Sequence, residues 1–306
     1  MNKPKFYIMV GLSASGKSTI SKEIARENGC VIISSDDIRG EICDGGVIDQ
    51  SKNDEVFKVF HQRIRDNLRT GKNVIADATN INMKARRSLL ENVRKIQCYK
   101  IAYIIPKSVE QCIEDNIYKE YPVPHHVIQK QMMNFQIPFV EEGFDEIIIH
   151  KFNNEYINDV FVTDCYDKMQ GFEQKNPFHC MDLDEHCKYT YEIFKKLDGY
   201  IWTEYPFAAR LHDIGKLFTQ KFDEDGIAHY YQHENVGCYY LLSNLENIKQ
   251  YRDYSDEELL NILFLVNYHM MPMSWDSDKA KQKWLRRFGE YKYKLLLDFN
   301  KCDKAR

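Results

Sequence analysis

Two groups of residues in this chain have the types and spacing for phosphate chemistry. The first is Gly11-Leu12-Ser13-Ala14-Ser15-Gly16-Lys17-Ser18-Thr19, directly after the apolar run Phe6 to Val10, which satisfies G-x-x-x-x-G-K-[ST]. A buried strand running into a glycine loop that opens a helix turns several backbone N–H groups inward, and the helix N-terminus adds partial positive charge there. In such a loop Lys17 reaches the β- and γ-phosphates and the Ser18 hydroxyl sits on Mg²⁺. Gly11, Ser13, Ala14, Ser15, Gly16 and Thr19 complete the cradle. The pattern predicts a nucleoside triphosphate ligand, ATP with Mg²⁺. The second group is a run of histidines and acids late in the chain.

Three further features belong with the glycine loop. Ser34-Ser35-Asp36-Asp37-Ile38-Arg39 stands at the carboxyl end of a second apolar strand. In an open parallel sheet, ligands gather beyond those strand ends. A carboxylate there can take a proton from an attacking hydroxyl, and an arginine three residues on can hold an acceptor phosphate. Asp77-Ala78-Thr79-Asn80 also follows a buried strand, and Lys84-Ala85-Arg86-Arg87 opens the next helix.

With the loop, the S-D-D-x-R segment, D-x-T-N with its basic followers and the late Val123-Pro124-His125-His126-Val127-Ile128 segment, residues 5 to 150 resemble the phage-type 5′-hydroxyl polynucleotide kinases. The resemblance implies Asp36 as general base, Arg39 on the acceptor-side phosphate, and Lys17 with Ser18 as the ATP·Mg²⁺ clamp. It also implies an acceptor path lined by Thr79 and Asn80, with Asp77, Arg86 and Arg87 on the acceptor side. The motif set is specific to a broad kinase group whose members also act on sugars and other small hydroxyl acceptors. Such kinases carry arginines on a lid helix, whereas Asp115-Asn116-Ile117-Tyr118-Lys119-Glu120 offers Lys119 alone. Lysine lacks arginine's planar fork. Either Arg86 or Arg87 compensates or turnover is slow, and a solvated helix face is an equal reading for that pair.

Six of the ten histidines fall between 179 and 269. Leu211-His212-Asp213-Ile214-Gly215-Lys216 sets adjacent ligands on a helix inside an apolar run. An imidazole beside a carboxylate, joined by ligands from other helices, suits a divalent metal better than a dry core. The order His186, His212-Asp213, His233, His269, Asp303 resembles the HD phosphohydrolase superfamily over residues 176 to 306. The resemblance implies a metal site of His186, His212, Asp213 and Asp303, with His233 and His269 as added ligands of dinuclear members. One or two divalent transition metals (Mn, Fe, Ni or Zn class) would activate a water against a phosphoester while Lys216 steadies the phosphate. Asp303 falls where a helix end frays, and Asp298 is a poorer substitute. His179 either holds phosphate or orders the domain entrance, while His229 is a ligand or a capping residue. His61, His125, His126 and His150 read as surface or packing, and Tyr189, Tyr191, Tyr230, Tyr231, Tyr239 and Tyr240 as core.

The elements that must position these groups fall into two patterns. The first half alternates strand and helix, which implies a parallel sheet with helices on both faces. Strands are expected at Phe6–Val10, Val31–Ser34, Val74–Ala76, Lys100–Ile105 and Ile147–Ile149. Asn153 to Lys175 is polar and irregular, and beyond it helices are expected over Asp184–Leu197, Pro206–Leu217, His233–Leu245, Asp256–Tyr268 and Asp278–Asp303. The expected fold is α/β plus all-α: a kinase domain at 1–152, a linker at 153–175 and an all-helical HD domain at 176–306.

Length bears out the count, since 306 residues exceed the usual single domain. Nine cysteines without C-x-x-C pairs make no disulfide framework. No signal peptide precedes the first strand and no apolar run approaches a membrane span, so a cytoplasmic protein is expected. Residues 1–152 carry 22 Lys+Arg against 20 Asp+Glu, the remainder 20 against 26. Neither half has the strongly basic balance of nonspecific nucleic-acid binding, so any polynucleotide contact is local. The leading expectation is an enzyme that phosphorylates a 5′-hydroxyl end of RNA or DNA and removes a 3′-phosphate or 2′,3′-cyclic phosphate. A small-molecule (nucleoside or nucleotide) kinase with an HD nucleotidase and a non-catalytic ATP-binding regulatory module are the alternatives. Oligomeric state is not legible.

Overall fold

The structure is a computed structural model that describes residues 3–43, 50–119, 122–152, 158–177, 180–197, 199–200 and 203–304. It comprises two compact units: Met1–Gln131 with Pro138–Lys151, and Met132–Ile137 with Phe152–Arg306.

The first unit is a five-stranded parallel sheet with flanking helices. Its elements are β1 (Lys5–Val10), α1 (Lys17–Asn28), β2 (Cys30–Ser34), α2 (Ser35–Ile42), α3 (Asn53–Arg69), β3 (Asn73–Asp77), α4 (Met83–Asn92), β4 (Tyr99–Ile104), α5 (Val109–Asn116), α6 (His125–Met133) and β5 (Glu146–Ile149). The strand order is β2-β3-β1-β4-β5, parallel at every pairing. Phe6–Val10 and Val74–Ala76 are buried without alternation, as strands covered on both faces require. Helix α3 turns Val56, Phe60, Ile64 and Leu68 inward at a spacing of four, a continuous apolar stripe. The strand order sets the carboxyl ends of β1, β2 and β3 side by side. Those ends carry the glycine loop, the Ser34–Arg39 segment and Asp77.

Arg86 is fully buried. Its guanidinium grips Glu142 at both ends, Nη2 to Oε1 at 2.6 Å and Nε to Oε2 at 3.0 Å, and Nη1 donates to the Asn80 carbonyl at 3.2 Å. The pair ties α4 to the segment before β5 and leaves Arg86 no route to a ligand.

The second unit is helical: α7 (Phe161–Met169), α8 (Leu183–Phe194), α9 (Tyr205–Leu211), α10 (Lys216–Thr219), a hairpin of β6 (Lys221–Phe222) and β7 (Ala228–His229), then α11 (His233–Leu242), α12 (Leu245–Tyr251), α13 (Asp256–Tyr268) and α14 (Asp278–Lys304). Three local expectations need correction. Part of the stretch read as a linker is α7, whose Phe161, Val162, Cys165 and Met169 are buried on one face. The helix expected over Pro206–Leu217 breaks, so His212 to Gly215 form a turn between α9 and α10. The long C-terminal helix is interrupted at Gly289, where φ is 73° and ψ 167°.

Residues Met132–Ile137 complete this second unit from far upstream. Phe135 is buried against Tyr239, with ring centroids 4.9 Å apart. Asn235 donates to the Met133 carbonyl at 2.8 Å, Asn267 accepts from the Ile137 N–H at 2.7 Å, and the Tyr268 hydroxyl donates to the Ile137 carbonyl at 2.8 Å. Among the described residues, no helix is long and apolar enough to cross a membrane.

Removing one partner of a dry ion pair strands the other charge, at a cost of about 3–5 kcal/mol. Glu142→Ala is therefore expected to destabilise the first unit by that amount in urea unfolding. A loss below about 1 kcal/mol would show that the guanidinium is not dry.

Candidate functional site

A cleft of about 690 Å³ opens over the carboxyl edge of the sheet. Its floor is the loop between β1 and α1. Gly16 caps α1 at φ 92°, a left-handed conformation that favours glycine, and Ala14 shares that region at φ 63°. The loop is braced from α6, where Gln131 accepts from the Ser13 N–H at 2.8 Å and donates to the Ser13 hydroxyl at 2.9 Å. Ser13, Ala14, Gly16, Lys17, Ser18 and Thr19 line the cleft, while Ser15 is buried beneath it. The Gly11 N–H donates to the Thr79 carbonyl at 3.1 Å. A Cβ on Gly11 would lie 2.8 Å from the Ser15 hydroxyl oxygen and 3.3 Å from the Ile105 carbonyl oxygen, so any larger residue there would have to displace the Ser15 side chain.

Lys17 donates to the Leu12 carbonyl at 2.6 Å. Burial pulls its pKa down to about 8, against the opposing pull of Asp77. Asp77 is itself buried, which raises its pKa, while the Ser18 hydroxyl and Lys17 act against that rise. Asp77 thus stands beside Ser18 and Lys17. The cause is strand order, since β3 is the neighbour of β1.

Asp36 and Arg39 enter the cleft from α2. The Ser34 hydroxyl caps that helix by accepting from the Asp37 N–H at 3.2 Å, which fixes its first turn at the end of β2. Arg39 Nη1 donates to Asn53 Oδ1 at 2.7 Å. Asn53 and Phe57, one turn apart on α3, line the same wall, as do Thr79 and Lys119. Asn116 makes two bonds to Val123, Nδ2 donating to its carbonyl at 2.7 Å and Oδ1 accepting from its N–H at 3.1 Å.

Three expected acceptor residues do not meet the cleft. Arg86 is locked to Glu142. Arg87 is exposed on α4 and is not among the lining residues. Asn80 is 4% exposed and donates to the Met9 and Ala78 carbonyls at 2.9 and 3.3 Å, a clip between β1 and the end of β3. Neither arginine lines the cleft, and Lys119, in the stretch after α5, does.

The second constellation does converge. His186 comes from the first turn of α8, His212 and Asp213 from the turn after α9, His233 from the start of α11, His269 from the residue after α13, and Asp303 from the last turn of α14. The His212 turn can press on α11 only because residue 215 is glycine: a Cβ there would lie 2.0 Å from the His233 carbonyl oxygen. An ion pair between Arg210 and Asp184 fastens α9 to α8 two residues from each ligand.

Asp213 is the hub. Its Oδ2 lies 3.3 Å from His186 Nε2 and 3.4 Å from His212 Nε2, and its Oδ1 lies 3.0 Å from His233 Nε2 and 3.4 Å from His269 Nε2. Asp303 Oδ1 adds contacts of 3.1 and 3.2 Å to His186 and His212. Lys216 donates to Asp213 Oδ2 at 2.6 Å and to Gln174 Oε1 at 2.9 Å, so its ammonium holds a carboxylate of the cluster.

Proton positions follow from the main chain. The Nδ1 atoms of His212, His233 and His269 each lie 2.8 Å from a carbonyl oxygen, those of Ala209, Tyr230 and Val266. A carbonyl only accepts, so each Nδ1 carries a proton and each Nε2 faces the centre of the cluster. The Nε2 atoms of His233 and His269 stand 3.3 Å apart, and His212 Nε2 is buried with no hydrogen-bond partner. Such crowding of ring nitrogens and carboxylate oxygens fits a cation at its centre, which would take the place of the bridging protons. Donor atoms held about 2.0–2.2 Å from a common ion stand roughly 3–3.5 Å apart, the spacing seen here. Among the described residues three overlapping groups of donors result, His186-His212-Asp303, Cys187-His212-Asp213 and Asp213-His233-His269.

Burial pulls the His186 pKa down, but Asp213 and Asp303 outweigh it and raise it to about 9. The same opposition leaves His212 well above its usual range, and burial leaves His269 below. Burial also disfavours the charge on Asp213, yet Lys216 and the imidazoles hold its pKa well below the carboxylate range. Asp298 stands apart, ion-paired with Lys301 at 3.0 Å. His229 pairs with Asp223 at 2.9 Å on the hairpin and is no ligand, and His179 lies outside the described residues. Of the tyrosines expected in the core, Tyr239 is buried, whereas Tyr189 and Tyr231 are exposed.

The raised His186 pKa sets the sign of a pH effect. The metal-free protein keeps that proton at neutral pH, and its ion-pair stability is full below the unfolded value of 6.5 and lost as pH rises through about 9. Metal uptake must displace the proton, so affinity for Mn²⁺ or Zn²⁺ should rise with pH up to about 9, with proton release on binding. Calorimetry in buffers of different ionisation enthalpy measures that release. Binding without proton release would place the ion elsewhere.

Residues 6–138 match the family described as an AAA domain. Among solved structures, the chain is similar to one in the Pnkp1/Rnl/Hen1 RNA repair complex, at 22% identity over 43% of this chain and 43% of that chain, with a TM-score of 0.39. It is also similar to a gluconokinase from Sinorhizobium meliloti, at 16% identity over 50% of this chain and 86% of that one, with a TM-score of 0.36.

Proposed function

We propose that the chain is a bifunctional end-processing enzyme, phosphorylating a 5′-hydroxyl end of RNA or DNA and removing a 3′-phosphate or 2′,3′-cyclic phosphate. The observation that carries the first activity is the joint presence of Lys17, Ser18, Asp77, Asp36 and Arg39 in one cleft. The loop N–H groups and Lys17 hold the triphosphate of ATP. Ser18 and Asp77 are the residues that would hold Mg²⁺, which neutralises charge on the phosphate oxygens. Asp36 accepts the proton of the acceptor hydroxyl as its oxygen bonds the γ-phosphorus. The bond to the bridging oxygen breaks and ADP leaves. Arg39, aimed by Asn53, holds the phosphate on the acceptor.

The second activity rests on the gathering of four imidazoles around Asp213, with Asp303 beside two of them. A divalent ion held there supplies an activated water and polarises a phosphoryl oxygen. The chain's own part is orientation: main-chain carbonyls fix three imidazoles, and Lys216 aims Asp213. Breakage of RNA leaves a 5′-hydroxyl and a blocked 3′ end together, so both activities serve one substrate.

An oligoribonucleotide with a 5′-hydroxyl and a 3′-phosphate tests both. The wild-type protein is expected to transfer label from γ-labelled ATP to the 5′ end and to release inorganic phosphate from the 3′ end. Asp36→Asn should lower labelling by about 10²–10⁴-fold, and Asp213→Asn should lower phosphate release by at least about 100-fold. No labelling and no release by the wild-type protein, with Mg²⁺ and Mn²⁺ supplied, would refute the proposal.

A further inference from the structure

We infer that Phe57 is the platform on which the terminal nucleobase of the acceptor stacks, so that the cleft selects a nucleotide end over a sugar or another simple alcohol. The inference rests on the acceptor-side reading of Asp36 and Arg39. Helix α3 buries Val56, Phe60, Ile64 and Leu68 as its core stripe. Phe57 stands three residues before Phe60 at the rim of that stripe, is 40% exposed, and lines the cleft.

Its ring is nevertheless held. Phe60 meets it edge-on at 5.9 Å and 86°, and His61 packs at 6.5 Å and 57°. Aromatic pairs of this kind fix a ring from one side and leave the remaining surface to the cleft. Asn53, which aims Arg39, is one helical turn before Phe57 on the same face. Residues four apart on a helix stand about 5–6 Å from each other at Cβ. A nucleotide carries its base and its 3′-phosphate on one sugar ring, so a guanidinium and an open aromatic ring one turn apart match both ends of that unit. A sugar acceptor has no flat π-face to cover Phe57. Base stacking on an aromatic is tolerant of sequence, so the platform recognises a base without reading which one.

The test uses the full chain, ATP, and two oligonucleotides that differ only in whether the 5′-terminal nucleotide carries adenine or is abasic. Wild-type protein should favour the adenine-ended acceptor about tenfold in kcat/KM. Phe57→Ala should raise KM for that acceptor about tenfold, to the abasic level, with KM for ATP unchanged, and Phe57→Trp should restore the preference. Equal acceptor KM in Phe57→Ala and wild type overturns the inference, as does a rise confined to KM for ATP, which would give the ring to the donor base. Absence of transfer by wild-type protein to either oligonucleotide overturns the kinase reading and this inference with it. Transfer without discrimination overturns this inference alone.

Discussion

A carboxylate that is 3% exposed must be compensated, and the second unit is arranged around that requirement at Asp213. Burying an unpaired charge costs several kcal/mol. Asp213 has imidazoles on both oxygens and the Lys216 ammonium on one, drawn from α8, α10, α11, α13 and its own turn. Each contact constrains where a helix end can lie. The cluster is therefore a fold determinant as well as a candidate metal centre: the side chains that crowd lone pairs together also set the register of the helices.

The first unit meets a different constraint. Parallel strands end together, and their carboxyl ends expose loop backbone on which polar groups can be mounted. The order β2-β3-β1-β4-β5 decides which groups meet. With β3 beside β1, Asp77 falls next to Ser18, and with β2 beside β3, Asp36 and Arg39 come within the same cleft. Buried pairs behind the sheet edge, Arg86 with Glu142 above all, keep the platform stiff.

What the sequence made legible follows from range. The glycine loop is a local object: its spacing dictates its backbone, and Lys17 and Ser18 stand where the pattern places them. His212 and Asp213 stood out as polar residues inside an apolar run, and the resemblance to the HD superfamily joined His186, His233, His269 and Asp303 to them before any packing was known. Distant partners were illegible. A basic run opening a helix looks the same exposed or buried, and Glu142, 56 residues away, is what removes Arg86 from ligand chemistry. That Asp77 would stand beside Ser18 was illegible because strand adjacency is a property of the sheet. His212 and Asp213 lie on a turn because Gly215 lets α11 approach, which no helical period encodes. Phe57 carried no signal of its own, since its spacing to Phe60 and Ile64 is that of an ordinary apolar face.

Met132–Ile137 adds a consequence for synthesis on the ribosome. The strands of the first unit are all made by Ile149, so that unit can close early. Phe135 and Ile137 have by then been synthesised, but Tyr239, Asn267 and Tyr268, which bind them, are translated later. At roughly 5–20 residues per second, six residues of the second unit wait on the order of ten seconds for their partners. During that interval two apolar side chains of the second unit lack the residues that cover them. Truncation downstream of the first unit makes that transient state permanent.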